Sequence, residues 1–376
     1  MKTDIVDGFL LDRGFHVMQT GYPHSVSKID FEALEAKAFN PGARIIKTVS
    51  GKPKITTYSD PFRRPLSSLR LLGAERWSDL IGMAKLRLSL SRRDIKKTFS
   101  GGDGSTYEYL RQFGLSDSFI DRLLRPLFAG IFLESKLDTN ERFFRFIFSS
   151  MSRGDMVLPS KGVGAYPNHL AKKIGFERIY LSTSAFADDS MTIIIDGQRK
   201  TVDQVIVAHP TLSEEKTMKA VWTVYFDSPR SPAPGKFLLL NGDYELGKTA
   251  IAHVAVPSDV QPSYAPEGRS LVVATIVGDA ADSLNLNNAE AVESRARKEI
   301  SGWFQDCENW KTLDVQHINA ALPSHGAGTD LSFSTSINED GIITCGDYMT
   351  HASMQGAINS AEKAANEAIR RIHHLR

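Results

Sequence analysis

Gly341-Ile342-Ile343-Thr344-Cys345-Gly346-Asp347-Tyr348-Met349-Thr350-His351-Ala352-Ser353-Met354-Gln355-Gly356-Ala357-Ile358-Asn359-Ser360 is the stretch that decides how the chain is read. Ile342 to Cys345 is short, apolar and β-branched, which predicts a buried strand. Gly346-Asp347 breaks it. From Gln355-Gly356-Ala357 a helix is expected to run to Leu375 on Ala361, Ala364, Ala365, Ala368, Ile369 and Ile372. Such a strand, acidic turn and glycine-bearing helix start suit a polar cofactor. The Asp can accept hydrogen bonds from hydroxyls. The first helical turn offers N–H groups and the positive end of the dipole, and a small residue lets a flat ring approach the backbone. The pattern also fits an ordinary buried strand–helix turn.

The 376 residues predict two to three domains, or one large domain with an insertion. With 41% hydrophobic and 24% charged residues the composition is that of an ordinary globular protein. A net charge of +1 gives no general case for nucleic-acid binding. Cys307 and Cys345 are too few for a disulfide framework or a cysteine zinc site, which fits a reduced, cytoplasmic setting. No run of 18 apolar residues predicts a spanning helix, and the first residues carry no apolar signal core.

Working outward, Phe9 to Val17 reads as strand, turn at Arg13-Gly14, then strand. Residues 28–40 predict an amphipathic helix capped by Asp30, and 43–58 predict two strands around Ser50-Gly51-Lys52-Pro53. Residues 61–99 read as helical and basic, with ten Lys or Arg against three acids and a leucine-rich apolar side. A solvated basic face over a normal core is the more ordinary meaning. The sharper one is a helix pair on an anionic membrane surface or beside an apolar substrate route.

Ser105 and Glu108 are spaced for a capping box. Arg125 to Leu133 mixes small and large apolar residues, and Phe143, Phe144, Phe146 and Phe148 read as core or as an apolar pocket wall. Met156 to Pro167 is a glycine-rich loop before a helix near Asn168, but it lacks the Gly-Lys-Ser/Thr ending of a P-loop. Strands are expected at 178–186, 191–195 and 204–209, the latter two parted by Asp196-Gly197, and again through 221–277. A helix over 288–304 and a strand over 315–320 follow.

The ten histidines have no metal spacing, and neither Cys-x-x-Cys nor Gly-x-Ser-x-Gly occurs. His351 and His16 are candidates for ligand contact, although a lone histidine is more often structural. No dedicated acid or base stands out, which fits a cofactor that carries the chemistry itself.

Four segments in order, Asp7 to Phe15, Arg125 to Leu133, Leu158 to Ala165 and Gly346 to Ser360, resemble the flavin-dependent amine oxidase superfamily. The phytoene desaturase-like and protoporphyrinogen oxidase-like branch is the nearest in look. The resemblance implies FAD as cofactor and hydride transfer from a substrate C–H bond to flavin N5. It places Gly346 and Asp347 at the ribityl and phosphate region, and Met354, Gln355, Gly356 and Ala357 at the pyrimidine end. Arg13, Gly14 and Phe15 would run beside the isoalloxazine, the Ala185 backbone would meet the adenine, and Arg125 to Leu133 would lie on the substrate side. Ala361-Glu362 departs from the family's usual Gly and basic residue.

The resemblance also implies a leading βαβ unit with Gly-x-Gly-x-x-Gly, an acidic residue and Gly-Gly-Arg, and residues 1–376 contain none of it. Met1 to Asp4 would align just after Gly-Gly-Arg, so a sequence starting at an internal Met is expected. The expected fold is α/β: an N-terminally incomplete, FAD-binding Rossmann-like domain (1–18, 156–211 and 337–376) and an α+β substrate domain with a mixed sheet (19–155 and 212–336). An apolar or amine small molecule is the expected substrate, with peripheral membrane contact through 61–99 and a separate chain supplying the missing unit as further expectations. The competing reading is a truncated, non-catalytic remnant that holds FAD weakly and acts as a binding protein.

Overall fold

The computed structural model describes residues 1–23, 28–60, 63, 75–91, 95–211, 214, 217–331 and 336–375. Much of the basic 61–99 segment, including Arg64, Arg70, Arg92 and Arg93, lies outside the described residues. The chain divides into a larger unit (1–166, 219–321 and 326–328) and a smaller one (167–218, 322–325 and 329–376).

The larger unit is built on a seven-stranded sheet in the order Lys311–Leu322, Lys219–Ser228, Ser270–Val277, Ile251–Ala255, Leu238–Asn241, Gly42–Val49, Lys52–Ser59. It is mixed: Leu238–Asn241 runs parallel to Gly42–Val49 and antiparallel to Ile251–Ala255. The two strands read from 43–58 are present, with Val49 opposite Lys52 at the turn. Alternation decides the faces. Val224, Phe226, Val254, Ala274 and Ile276 pack with Val292, Ala296 and Ile300 of the Ala289–Ser301 helix. Tyr225, Leu271 and Val273 point the other way, onto Phe9, Leu11 and Phe39. Between Ile251 and His253 the register shifts by a bulge, so Ile251 and His253 take opposite faces despite being two apart.

Helices occupy the middle of the larger unit. Ser105 and Glu108 form the expected capping box on Thr106–Gln112. Asn140 caps Glu141–Arg153, whose Phe143, Phe144 and Phe146 are core. Asp79, buried in the first turn of Trp77–Ser91, accepts from the Ser116 N–H at 2.6 Å and the Ser116 hydroxyl at 2.8 Å, which ties that helix to the N-cap of Asp117–Phe119.

Thr3–Val6 and Phe9–Asp12 form an antiparallel hairpin, and Met156–Leu158 pairs with Met18–Gln19 on one side and Lys37–Ala38 on the other. The helix expected over 28–40 does not form. Asp30 does cap, accepting from the Ala33 N–H at 2.8 Å, but Glu35 turns left-handed (φ 47°) and the chain leaves as the strand at Lys37–Ala38. Cross-strand pairing outweighs the helix propensity of that stretch. The second strand expected at Phe15–Val17 begins only at Met18.

In the smaller unit Ala185–Asp189, Thr192–Ile195 and Gln198–Thr201 form an antiparallel meander. Here 178–184 is not strand, and Asp196-Gly197 joins the second strand to Gln198–Thr201, which pattern reading had missed. Ile343–Thr344 is the buried strand read from the sequence. It runs parallel to Ile206–Val207 and antiparallel to Ser336–Ile337. The Met354–Leu375 helix covers it, Ala364 and Ala368 against Ile343 and Cys345.

Candidate functional site

The smaller unit carries the turn on which the sequence reading rests. The Gly346 N–H donates to Ser360 Oγ at 3.0 Å, and Asp347–Met349 forms one 3-10 turn. Asp347 is half-buried, and loss of water pushes its carboxyl up against the pull of the Tyr348 N–H and its own. The Tyr348 hydroxyl donates to the His209 carbonyl at 3.1 Å.

Ser353 caps the helix: its Oγ accepts from the Gly356 N–H at 3.1 Å and its carbonyl from the Ala357 N–H at 3.0 Å. Those two donors are therefore taken by the chain itself. Gln355 is buried, and its Nε2 donates to Asn359 Oδ1 at 2.8 Å. Gly356 is required by the loop before it. A Cβ there would stand 2.1 Å from the His351 carbonyl oxygen and 2.6 Å from Thr350 Oγ1. His351 is fully buried, with Nδ1 2.8 Å from Ser353 Oγ, and burial, helped by nearby His325, pushes its ring down to about 3. His325 Nε2 accepts from the Ala352 N–H at 2.9 Å, which puts its proton on Nδ1. Thr350 Oγ1 is buried without a hydrogen-bond partner among the described residues. An orphaned hydroxyl beside a half-buried carboxylate and a helix start fits a polar cofactor group. Ala185 opens the edge strand of the meander, paired with Ile195, and its side chain is exposed.

Arg13, Gly14 and Phe15 lie in the larger unit. Arg13 Nε donates to Asp4 Oδ2 at 2.7 Å, on the exposed side of the hairpin. Gly14 takes the turn at φ 73°, and Phe15 enters the core edge-on to both Phe39 (6.3 Å) and His253 (5.5 Å). Before this turn stands Asp12, which sequence reading passed over. Its carboxylate accepts from Thr3 Oγ1 (2.5 Å), the Val163 N–H (2.9 Å) and the Tyr264 hydroxyl (2.6 Å). Burial still pushes its carboxyl up. The glycine-rich loop at 156–167 thus seats on the hairpin, the Gly164 N–H donating to Thr3 Oγ1 at 2.9 Å.

The same unit contains a cavity of about 420 Å³. Leu80, Met83 and Ala84 line it from one helix, Leu127 and Phe128 from the next, Phe148 from a third. Phe148 is therefore a pocket wall, while its neighbours in the phenylalanine cluster are core. Four charged residues edge the cavity. Arg87 reaches Asp60 (3.3 Å) and the Ser152 carbonyl (2.7 Å), and Arg63 reaches Asp155 and the Gly154 carbonyl (3.1 Å). Each carboxylate already holds an arginine. Among the described residues no cluster of His, Cys, Asp and Glu could hold a metal ion, and no helix is long and apolar enough to cross a membrane.

The family model of flavin containing amine oxidoreductases matches residues 1–215 and 223–369. None of the curated proteins matches the sequence. Among solved structures, an oxidoreductase from Methanosarcina mazei is 14% identical at a TM-score of 0.68, covering 97% of this chain and 90% of its own. Cyclohexylamine oxidase from Brevibacterium oxydans IH-35A is 11% identical at 0.61, covering 97% and 88%. Wild-type putrescine oxidase bound to putrescine is 12% identical at 0.61, covering 98% and 90%. At such identities the likeness is one of fold.

Proposed function

This chain belongs to the flavin containing amine oxidoreductase family and is an FAD-dependent oxidoreductase, and on that premise we propose which residues hold the cofactor and what kind of molecule is oxidised. Gly346, Asp347, Met354, Gln355, Gly356 and Ala357 hold the ribityl and pyrimidine end. Thr350 Oγ1 and the Asp347 carboxylate supply the polar contacts there. Ala185 meets the adenine through its backbone, and Arg13, Gly14 and Phe15 lie along the ring. The cofactor domain then draws on 1–18, 156–211 and 337–376, and the substrate domain on 19–155 and 212–336. When bound, FAD accepts a hydride from a substrate C–H bond.

The substrate is a small molecule with an apolar body. The observation that carries this is the cavity: apolar side chains fill its walls, and its two carboxylates are each paired with an arginine. An ammonium group would have to break one of those pairs. The exposed apolar residues Trp77, Ile81 and Leu88 on the helix that lines the cavity support uptake from a lipid surface.

The test is anaerobic bleaching of the FAD-loaded chain by matched neutral and basic donors. Dihydronaphthalene should bleach the flavin faster than benzylamine. The reverse order would assign the cavity to amines. A chain that takes up no FAD would favour the second reading, a binding protein without catalysis.

A further inference from the structure

Strand pairing in the larger unit sets Leu238 opposite Ala43 and Ala43 opposite Tyr58. Directly opposed residues share a face. All three line the cavity of about 420 Å³, so this row is one of its walls and Tyr58 brings a ring to it. Four more rings line the same space, those of Phe39, Phe119, Phe128 and Phe148. Met83, Met151 and Met156 stand among them.

Among the described lining residues there is no valine or isoleucine, although the sheet alongside packs its core with Val224, Val254, Val272 and Ile276. A wall that had only to be apolar would draw on the same side chains as that core. Rings and thioethers add what aliphatic branches lack. An aromatic ring has a negative face and a positive edge, and a thioether is soft and polarisable; both gain by meeting another ring.

The rings are held from behind. Phe39 meets Phe15 edge-on at 6.3 Å, Phe128 meets Phe144 at 4.8 Å, and Phe148 meets Phe144 at 5.5 Å. Tyr58 is held by charge instead. Its hydroxyl donates to the Glu75 carboxylate, which Arg122 also holds. The Glu75 side chain is only 4% exposed, so the ion pair carries a desolvation cost. Phenylalanine would cover this wall without that cost. What the buried pair adds is a fixed setting of the Tyr58 ring. Leu80 follows Glu75 in the chain, and Leu123 and Leu124 follow Arg122; all three line the cavity, so the clamp ties separate walls together.

Size narrows the ligand further. An apolar cavity of about 150 Å³ takes one benzene ring, so the space here suits about two or three fused rings.

We propose that the cavity is a site for a planar conjugated or aromatic ring system, with Tyr58, set by Glu75 and Arg122, as the ring it packs against. Glu75 and Arg122 are positioning residues and act through Tyr58. That the bound ring belongs to the substrate rests on the function proposed above; the ring site itself does not.

The test is equilibrium dialysis of the full chain with 2-naphthalenemethanol and its decahydro counterpart, which share a carbon skeleton and a hydroxyl and differ in flatness. Wild type should bind the flat probe about tenfold more tightly, the reach of one or two aromatic pairs. Tyr58→Leu should lose most of that preference while holding the saturated probe as before. Glu75→Ala, which frees the ring, should lower the preference, and Glu75→Gln, which keeps an acceptor for the Tyr58 hydroxyl, should restore it. Equal binding of both probes by wild type overturns the proposal. A preference untouched in Tyr58→Leu overturns the role given to that ring. Should Tyr58→Leu not fold, the wild-type ratio and the two Glu75 variants decide. Binding of neither probe would sink the apolar-substrate reading as well. Flavin bleaching by a neutral donor together with equal probe binding would sink the flat-ring site alone.

Discussion

The hydroxyl of Tyr264 donates a 2.6 Å hydrogen bond to the carboxylate of Asp12 across 252 positions of sequence. With Thr3 and Val163 as the other donors, that carboxylate joins the first hairpin, the glycine-rich loop and the turn after Pro257–Val260. Asp12→Ala should leave three donors orphaned in a buried place, a loss of about 3 kcal/mol or more. Asp12→Asn keeps acceptors, lets the new amide face the Tyr264 oxygen and removes a charge that burial disfavours, so it should stay within about 1 kcal/mol of wild type. Urea denaturation of the pair checks this; equal losses in both variants would refute the account.

Acid should destabilise the fold through two buried histidines. Burial pushes His253 down to about 4 and His351 to about 3, from an ordinary 6.5. Both rings are neutral in the fold, and below pH 6.5 the unfolded chain takes up protons the folded chain refuses. Their contribution is intact above pH 6.5 and is lost progressively as pH falls toward 4 and 3. At about pH 5 each has removed about 2 kcal/mol. Thermal melts should show a steep fall over that range, less steep in His351→Gln. A flat profile would rule the mechanism out.

Gly356→Ala places a methyl group against the His351 carbonyl, a backbone atom held by the Ser353 N–H at 2.7 Å. Stability and FAD uptake should both drop. Ser353→Ala removes only the cap, about 1 kcal/mol. A Gly356→Ala chain as stable as Ser353→Ala would show that the loop yields.

Ala84→Leu should fill part of the cavity. The added carbons meet open space, so melting temperature should hold or rise, whereas oxidation of an apolar substrate should slow. Unchanged kinetics would place the substrate elsewhere.

Trp77, at 64% exposure, and Ile81 stand on one face of the cavity-lining helix. Pelleting with anionic vesicles should occur at low salt and weaken in Trp77→Ser. Full retention in the supernatant would remove the lipid-surface reading.

The parts legible in sequence were those whose signal is local. Ser105 with Glu108, the turn at Ser50-Gly51 and the apolar run of Ile342 to Cys345 each announce themselves within a few residues. Asp7-Gly8 carried an equally local signal, both residues at positive φ in a tight hairpin turn, but Thr3–Val6 was not read as its partner strand. Residues 28–40 misled because Ala, Glu and Leu spell a helix while the pairing that ends it lies at Met156–Leu158. Asp12 was illegible for one reason. A lone polar residue in a strand looks unremarkable until the sheet sets it beside its neighbours.

The bulge at Ala252 has a consequence for chain length. A residue lost from a paired strand normally turns the remainder inside out. Here the strand carries one residue more than its partner needs. Without Ala252, Ile251 and Val254 would still face the helix-covered side and His253 the other. What disappears is the packing of Ala252 with Ala129 and Tyr244. The gene can therefore shorten by one codon deep inside a buried sheet and leave the sidedness of the strand unchanged.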